Sequence, residues 1–282
     1  MNKKLIALSL AAGLGMASAP ASAVVVAGID FGALGAVPAH LETMTLAQQF
    51  INPATTPAGT GTGTGYGYIT TINGNNNYCT AGGGCGLYYT VDYSGGTFTS
   101  PTTVEFTGTD VNVYYLNGPF LNLLSQNSPA NVTAIQAGTL YAKMVGHPNL
   151  GGGASPAAVS VSSGNLSGAS LNFFGNGLLD IVAGAGNAAF ETFLDGNGVP
   201  DAVGGFADLA YTESVNNFVL NPFDISSGLT VGCSTGTAAS GQWCLQGTLN
   251  TRGIAEVPEP GTLALLALGL LGGGMVGRRR RG

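Results

Sequence analysis

The sequence predicts an all-β fold, a single β-sandwich or jelly-roll-like domain with little helix, followed by a C-terminal transmembrane helix. Segments rich in aromatic and β-branched residues alternate with Gly, Asn and Ser clusters typical of turns. An uncharged stretch near the end of the chain, Gly261–Gly277, predicts the membrane helix. The chain is therefore expected to comprise three parts, namely residues 1–23, 24–256 and 257–282.

Residues 1–23 have the three parts of a secretory signal peptide. Two lysines form a positive n-region, Leu5–Met16 is an apolar h-region, and Ala21-Ser22-Ala23 offers the small residues of a cleavage site. The apolar run is shorter than the ~20 residues of a membrane-spanning helix. Cleavage is predicted before Val24, with residues 17–19 as an alternative site.

The part between the two ends is acidic and sparsely charged. Lys143 and Arg252 are its only basic residues, against thirteen acidic ones, so its net charge is about −11. A surface of this kind repels nucleic acid, because phosphate binding depends on Lys and Arg. Its polarity comes mainly from Ser, Thr, Asn and Gly, which favours an extracellular β domain over a cytosolic enzyme.

Four cysteines follow the export signal, an even number in a chain destined for an oxidising compartment. Their spacing predicts two local disulfides, Cys79–Cys85 and Cys233–Cys244. Four cysteines allow three connectivities, and the sequence alone does not choose among them. A zinc site is disfavoured, because no CxxC spacing occurs and both histidines are distant in sequence.

Along the domain, the apolar spacing within Leu41–Phe50 predicts a helix, with a strand as the alternative. Thr55–Gly67 is expected to be a loop, Asn73–Asn77 and Ser94–Gly96 turns, and Phe120–Leu124 a short helical turn. The remaining segments predict strands. In chain order these are Tyr66–Ile72, Gly86–Tyr93, Thr102–Thr107, Val111–Leu116, Val132–Ile135, Leu140–Val145, Ala157–Val161, Ala169–Phe174, Leu178–Val182, Ala210–Thr212, Asn217–Leu220, Leu229–Val231 and Leu245–Thr251.

One segment of the domain has the spacing of a calcium loop. Asp195, Asn197 and Asp201 place side-chain oxygens at relative positions 1, 3 and 7, between glycines that permit a tight turn. The segment departs from the EF-hand pattern, because Pro200 stands at position 6 and Phe206 at position 12. The alternative is a solvated Asx/Gly turn without a metal.

The sequence predicts no catalytic residues. Gly232–Gly236 fits the G-x-S-x-G pattern, but the histidine of that fold must follow the serine, and His40 and His147 both precede it. His147, followed by Pro148, is expected to be a turn residue. Many pairs of carboxylates are available for a glycosidase, and nothing singles one out. The domain is therefore expected not to be an enzyme and to have no cofactor except a candidate Ca²⁺.

The last 26 residues carry a three-part tail. A proline-flanked glutamate precedes the uncharged stretch, and an arginine cluster follows it. By the positive-inside rule the arginines remain cytoplasmic, so the tail would halt transfer and leave the acidic domain outside. The prolines keep the entrance extended. The residues of this signal are Pro258, Glu259, Pro260, Arg278, Arg279, Arg280 and Arg281.

This tail resembles the PEP-CTERM sorting signal, which an exosortase recognises. The resemblance implies export through the Sec translocon, cleavage near Pro258–Pro260, and an inner-membrane intermediate. It also implies a Gram-negative host that makes exopolysaccharide, with the mature protein at the cell surface or in the extracellular matrix. The stretch Leu178–Asp208 is loosely similar to flocculation-associated members.

The function expected from these observations is a structural or adhesive role in biofilm or floc. Two alternatives belong to other classes. One is a Ca²⁺-dependent glycan-binding, lectin-like module, and the other is a secreted hydrolase. No nucleic-acid partner is expected.

Overall fold

The computed structural model describes residues 23–33, 39–50, 59–80, 84–166, 171–217 and 245–253, with the backbone alone for residues 33 and 39–50. It confirms a mostly β fold built on one large antiparallel sheet. A hairpin of β1 and β2 precedes the sheet, and two helices lie between its strands. The bounds are β1 (Ala23–Val26), β2 (Ile29–Ala33), β3 (Ala39–Phe50), β4 (Gly61–Ile72), β5 (Cys85–Ser100), β6 (Thr103–Phe106), β7 (Gly108–Asn117), α1 (Ser128–Gln136), β8 (Thr139–His147), β9 (Ser160–Asn165), β10 (Asn172–Ile181), α2 (Ala188–Leu194), β11 (Val199–Pro200), β12 (Phe206–Ala207), β13 (Leu209–Asn216) and β14 (Leu245–Gly253).

The strand pairings of the large sheet close on themselves. Following neighbours from β3 through β4, β5, β7, β8, β10, β13 and β14 leads back to β3, and every pairing is antiparallel. Each of these strands therefore has its backbone bonded on both sides for at least part of its length. Such closure leaves few unpaired strand edges exposed to other chains.

Two long strands change neighbours along their length. The first part of β5 pairs with β7, and its last residues pair with β6. In the same way β10 pairs first with β9 and then with β8. The change in β5 coincides with Gly95, whose φ of +68° is a left-handed conformation that glycine adopts without strain. The short strands β6 and β9 pair with each other and with the parts of β5 and β10 that do not pair with β7 and β8.

The main core lies on the inward face of the strands. Alternate residues of β5, Leu87, Tyr89, Val91 and Tyr93, are at most 2% exposed, as the period of two predicts for one face of a strand. At one end α2 and the β1–β2 hairpin cover this core. The ring of Phe31 lies 5.8 Å from that of Phe190, centroid to centroid.

A second cluster covers the opposite face of β4 and β5. Tyr66 and Tyr88 point outward from the sheet and are fully buried beneath Leu123 and Ile135. The Tyr66 and Ser128 hydroxyls lie 2.9 Å apart within this layer. The segment from the end of β7 to α1 therefore acts as a lid over this part of the sheet.

Two predicted element types are wrong. Leu41–Phe50 is not a helix but the strand given as the alternative, because it belongs to β3, which pairs with both β4 and β14. Long-range pairing here overrides a weak helical pattern. Val132–Ile135 is not a strand but the end of α1, which Asn127 caps by accepting a 3.1 Å bond from the Ala130 N–H.

Several predicted boundaries also change. The Ser94–Gly96 segment is not a turn, since β5 continues through it, and Ala169–Phe174 and Leu178–Val182 largely merge into β10. Strand β4 begins at Gly61, inside the expected loop. The turn at Asn73–Asn77 is confirmed, and Asn73 and Gly74 both have positive φ, as a type I′ turn requires.

Several predicted segments lie outside the described residues. These are residues 1–22 of the signal peptide, Leu229–Val231 and almost all of Asn217–Leu220. The second expected disulfide, Cys233–Cys244, and the tail from residue 257 also lie outside them. Within the part of the chain that is described, no helix has both the length and the apolar character needed to cross a bilayer.

Candidate functional site

A cleft of about 530 Å³ opens at the end of the domain where β4 and the start of β5 meet. Its walls come from three pieces of chain, namely β4, the loop from the Asn73 turn to the disulfide, and the segment after β7. The lining residues are Tyr68, Ile69, Thr70, Thr71, Asn76, Asn77, Tyr78, Cys79, Gly84, Cys85 and Phe120.

One wall of the cleft is aromatic. Phe120 follows β7 and remains 48% exposed although it packs against two tyrosines. Its ring centroid is 5.0 Å from that of Tyr68, edge to face, and 5.1 Å from that of Tyr88. The Tyr88 hydroxyl accepts a 2.7 Å bond from the Leu121 N–H, which fixes the segment carrying Phe120. An exposed aromatic ring is thus held rigidly at the rim.

The facing wall presents side-chain amides. Asn76 and Asn77 are exposed, and neither side-chain amide has a hydrogen-bond partner among the residues that the structure describes. The loop backbone is nevertheless ordered, since Asn75 accepts a 2.8 Å bond from the Asn77 N–H. Each free amide offers two donors and one acceptor oxygen to a ligand.

The base of the cleft is fixed by a disulfide between Cys79 and Cys85, which confirms the first predicted bridge. Beside it, the Tyr78 hydroxyl donates a 2.9 Å bond to the Ile69 carbonyl and accepts a 3.2 Å bond from the Leu87 N–H. These bonds join the loop to both β4 and β5. The cleft is therefore preformed rather than assembled by a moving loop.

None of the described residues that line the cleft is acidic or basic. Two tyrosine hydroxyls at the cleft are made weaker acids by burial. Burial raises the pKa of Tyr88, just behind the wall, to about 12, although its bond from the Leu121 N–H opposes the shift. Burial likewise raises the pKa of Tyr78. The site can bind through ring faces, hydroxyls and amides, and it offers no evident general acid or base.

His147 lies in a separate acidic cluster and is not the isolated turn residue expected from the sequence. It ends β8, and its Nδ1 is 2.9 Å from Asp180 Oδ2 while its Nε2 is 3.4 Å from Asp201 Oδ2. Burial lowers the pKa of His147, but the bond to Asp180 and the charge of that carboxylate outweigh it, so the pKa is raised. The ring joins two strands to the loop after β11.

The three candidate calcium ligands are all engaged in hydrogen bonds in this structure. The Asn197 amide nitrogen donates a 3.0 Å bond to Asp195. Asp201 instead accepts bonds from the N–H groups of Val203 and Gly205, at 2.9 and 2.6 Å. Among the described residues, no group of three or more His, Cys, Asp or Glu is arranged to hold a metal ion. These contacts do not test the calcium hypothesis.

The sequence did not indicate two buried carboxylates. Glu213 is 3% exposed and accepts bonds from the hydroxyls of Tyr93 and Ser162, at 3.2 and 3.3 Å. Glu191 is 2% exposed and accepts bonds from the N–H groups of Gly184 and Gly186. The partners of Glu213 come from distant strands, whereas those of Glu191 lie five and seven residues before it, in the turn that leads into α2.

The comparisons with known proteins concern mainly the tail. A family model described as the PEP-CTERM protein-sorting motif matches residues 256–281. The chain carries a PEP-CTERM protein-sorting motif. The matched residues include the Pro258–Pro260 segment and all four arginines of the predicted signal. No curated protein and no solved structure matches the chain.

The PEP-CTERM motif indicates how the protein is sorted. It indicates processing by an exosortase, export, and a membrane-anchored intermediate that precedes surface localisation. The match begins at residue 256, after the last described strand, so it gives no information about the chemistry of the β domain.

Proposed function

We propose that the exported β domain is a non-catalytic structural or adhesive component of the cell surface or extracellular matrix, in biofilm or floc. The sorting motif supports the location, and the cleft supports the absence of catalysis. Its exposed ring and amides can hold a ligand, while no carboxylate or imidazole lines it to transfer a proton. This uncharged lining is the observation on which the non-enzyme proposal depends.

The strand topology fits an extracellular scaffold. Pairings that close on themselves, a buried two-layer core and a disulfide stabilise a domain that must persist without chaperones or ATP outside the cell. The Gram-negative host, passage through the Sec translocon and contact with exopolysaccharide belong to the same proposal.

The location is tested by the intact mass of the protein recovered from its host. We expect loss of the first 23 residues and a second cleavage near Pro258–Pro260, and a two-dalton loss for each disulfide. A host without exosortase should accumulate the longer, membrane-held form. Recovery of an uncut chain with free thiols in the cytosol would contradict the proposal.

The adhesive role is tested by deleting the gene and complementing it. Cell aggregation and retained biofilm mass should fall in the deletion strain and return with the wild-type chain. A complementing chain with Arg278–Arg281 replaced by Asn should fail to restore them, because its sorting signal is altered. Unchanged aggregation in the deletion strain would count against an adhesive role.

A glycan-binding module is the second candidate function, and the cleft is the observation that favours it. The sequence predicts calcium dependence for such a module, but the hydrogen bonds of Asp195, Asn197 and Asp201 do not support it. Turnover of a polysaccharide that persists through purification and vanishes with one carboxylate substitution would instead favour a secreted hydrolase.

A further inference from the structure

We infer that the cleft bounded by Phe120, Tyr68 and the Asn76–Asn77 loop is a binding site for a neutral glycan chain. The inference rests on the proposed function, since an exported matrix protein meets polysaccharide outside the cell. It goes further by assigning the residues and the chemical class of the ligand.

The dimensions of the cleft suit a short run of sugar units. Its volume of about 530 Å³ lies within the range of roughly 300–1,000 Å³ typical of small-ligand sites. It is open to the surface rather than enclosed, so its shape does not exclude part of a longer chain.

The two walls match the two kinds of surface on a sugar ring. The C–H face of a pyranose is apolar and packs on aromatic rings, and the edge-to-face pair of Tyr68 and Phe120 presents such a surface at the rim. The ring edge carries hydroxyls that donate and accept hydrogen bonds. The unpaired amides of Asn76 and Asn77 can do both.

The charges of the cleft lining and of the exported part indicate which class of glycan the cleft can bind. The lining has no basic residue to neutralise a uronate or sulfate, and the exported part carries about −11. An anionic polysaccharide would lose its hydration and face repulsion. A cationic one would find no carboxylate in the cleft. A neutral polysaccharide avoids both costs.

Rigidity favours binding with useful affinity. The Cys79–Cys85 disulfide and the two bonds of the Tyr78 hydroxyl hold the amide loop against β4 and β5 before a ligand arrives. Little ordering entropy then remains to be lost on binding. The exposed Phe120, fixed by its contact with Tyr88, is preorganised in the same way.

The experiment measures binding of the exported protein, purified from its host, to soluble polysaccharides by affinity electrophoresis. Dextran, galactomannan and xyloglucan are the neutral probes, alginate the anionic probe and chitosan the cationic probe. The variants are Phe120→Ala and the double substitution Asn76→Ala with Asn77→Ala. The matched control is Phe174→Ala, which removes a 70% exposed phenylalanine on β10, outside the cleft lining.

Retardation by at least one neutral polysaccharide is expected, with affinity reduced about 10-fold or more in both cleft variants. The Phe174→Ala control should bind like the wild type, and thermal unfolding of all variants should show that they fold. Three results would overturn the inference. These are no binding to any neutral probe, preference for alginate or chitosan, and equal loss in Phe120→Ala and Phe174→Ala.

Failure here is distinguishable from failure of the proposed function. If cleft variants reach the surface and restore aggregation while no neutral glycan binds, the cleft assignment fails and the structural role stands. If deleting the gene leaves aggregation unchanged, the adhesive role fails whatever the cleft binds.

Discussion

The imidazole of His147 bridges to the carboxylate of Asp180, with Nδ1 2.9 Å from Oδ2 and 3.0 Å from Oδ1. The two residues lie on paired strands, since β8 meets β10 with His147 opposite Leu178. The other ring nitrogen faces Asp201, whose side chain is only 3% exposed. A protonated imidazole can donate to both carboxylates at once, and the arrangement therefore depends on pH.

The first prediction is a pH dependence of stability that originates at His147. Its folded-state pKa is raised above the unfolded value of about 6.5, because the bond to Asp180 and the nearby carboxylates outweigh burial. The stabilisation is then complete below that value and is lost as pH rises through the folded-state pKa. The melting temperature of the wild type should fall over this range. His147→Gln should show a flatter profile.

A matched control for this measurement is Lys143→Gln. Lys143 pairs with Asp110 at 3.0 Å, but both side chains are substantially exposed, so the pair contributes little. The control should keep the wild-type slope above the histidine reference value of about 6.5. Equal slopes in wild type and His147→Gln would contradict the assignment.

The second prediction concerns the buried carboxylate of Glu213. Tyr93→Phe removes the 3.2 Å hydroxyl donor while leaving the ring in place. Because Glu213 is 3% exposed, the lost bond is not readily replaced by water. We expect the free energy of unfolding to fall by about 1–3 kcal/mol, measured by urea denaturation.

Tyr115→Phe is the control for that substitution. The ring centroids of Tyr115 and Tyr141 lie 4.6 Å apart in a stacked pair. The Tyr115 hydroxyl has no hydrogen-bond partner among the described residues. Its removal should change the unfolding free energy by less than about 0.5 kcal/mol. Equal losses in the two variants would show that the hydrogen bond between Tyr93 and Glu213 makes no measurable contribution to the free energy of unfolding.

How far the sequence predicts this structure depends on the range of the interactions involved. The all-β class, the turn at Asn73–Asn77 and the Cys79–Cys85 bridge all follow from local patterns, and all three are present. The local pattern of β3 favours a helix, with a strand as the alternative, whereas the backbone of β3 pairs with β4 and β14, which are distant in sequence. Local periodicity carries no trace of those partners.

The candidate site shows the same limit. Among the aromatic residues of β4 and β5, Tyr88 is fully buried. What the sequence could not indicate is that Phe120, 32 residues further along the chain, packs on Tyr88 and forms one wall of a cleft. The His147 cluster is hidden for the same reason, since its two carboxylates come from other segments.

The third prediction concerns calcium. Both Asp201 oxygens are engaged, one by the N–H groups of Val203 and Gly205 and the other by His147. Burial raises the pKa of Asp201, but these bonds outweigh it and the pKa is lowered. Binding Ca²⁺ there would break this arrangement. Calorimetric titration to millimolar Ca²⁺ should therefore show no saturable heat.

A positive titration has a specific check. Asp195→Asn removes one candidate ligand charge at an exposed position that also neighbours Asp208. Saturable Ca²⁺ heat in the wild type that disappears in this variant would establish the loop as a calcium site. It would also require a rearrangement of the Asp201 turn.

The last prediction concerns the disulfide at the base of the cleft. Replacing Cys79 and Cys85 by Ser opens a short loop, whose closure entropy corresponds to about 2 kcal/mol. The free energy of unfolding should fall by up to that amount. Because the remaining contacts of Tyr78 persist, we expect the β domain to stay folded at room temperature.

The local effect of this substitution should exceed the global one. Without the bridge, the Tyr78 hydroxyl remains the described link between the Asn76–Asn77 segment and β5, so the amides of this segment should exchange with deuterium faster while those of β7 and β8 remain protected. Mild reduction of the wild type should reproduce the pattern, which separates loss of the bond from the effect of serine. If exchange accelerated uniformly across the sheet, the disulfide would be supporting the whole fold, and the cleft would owe its rigidity to other contacts.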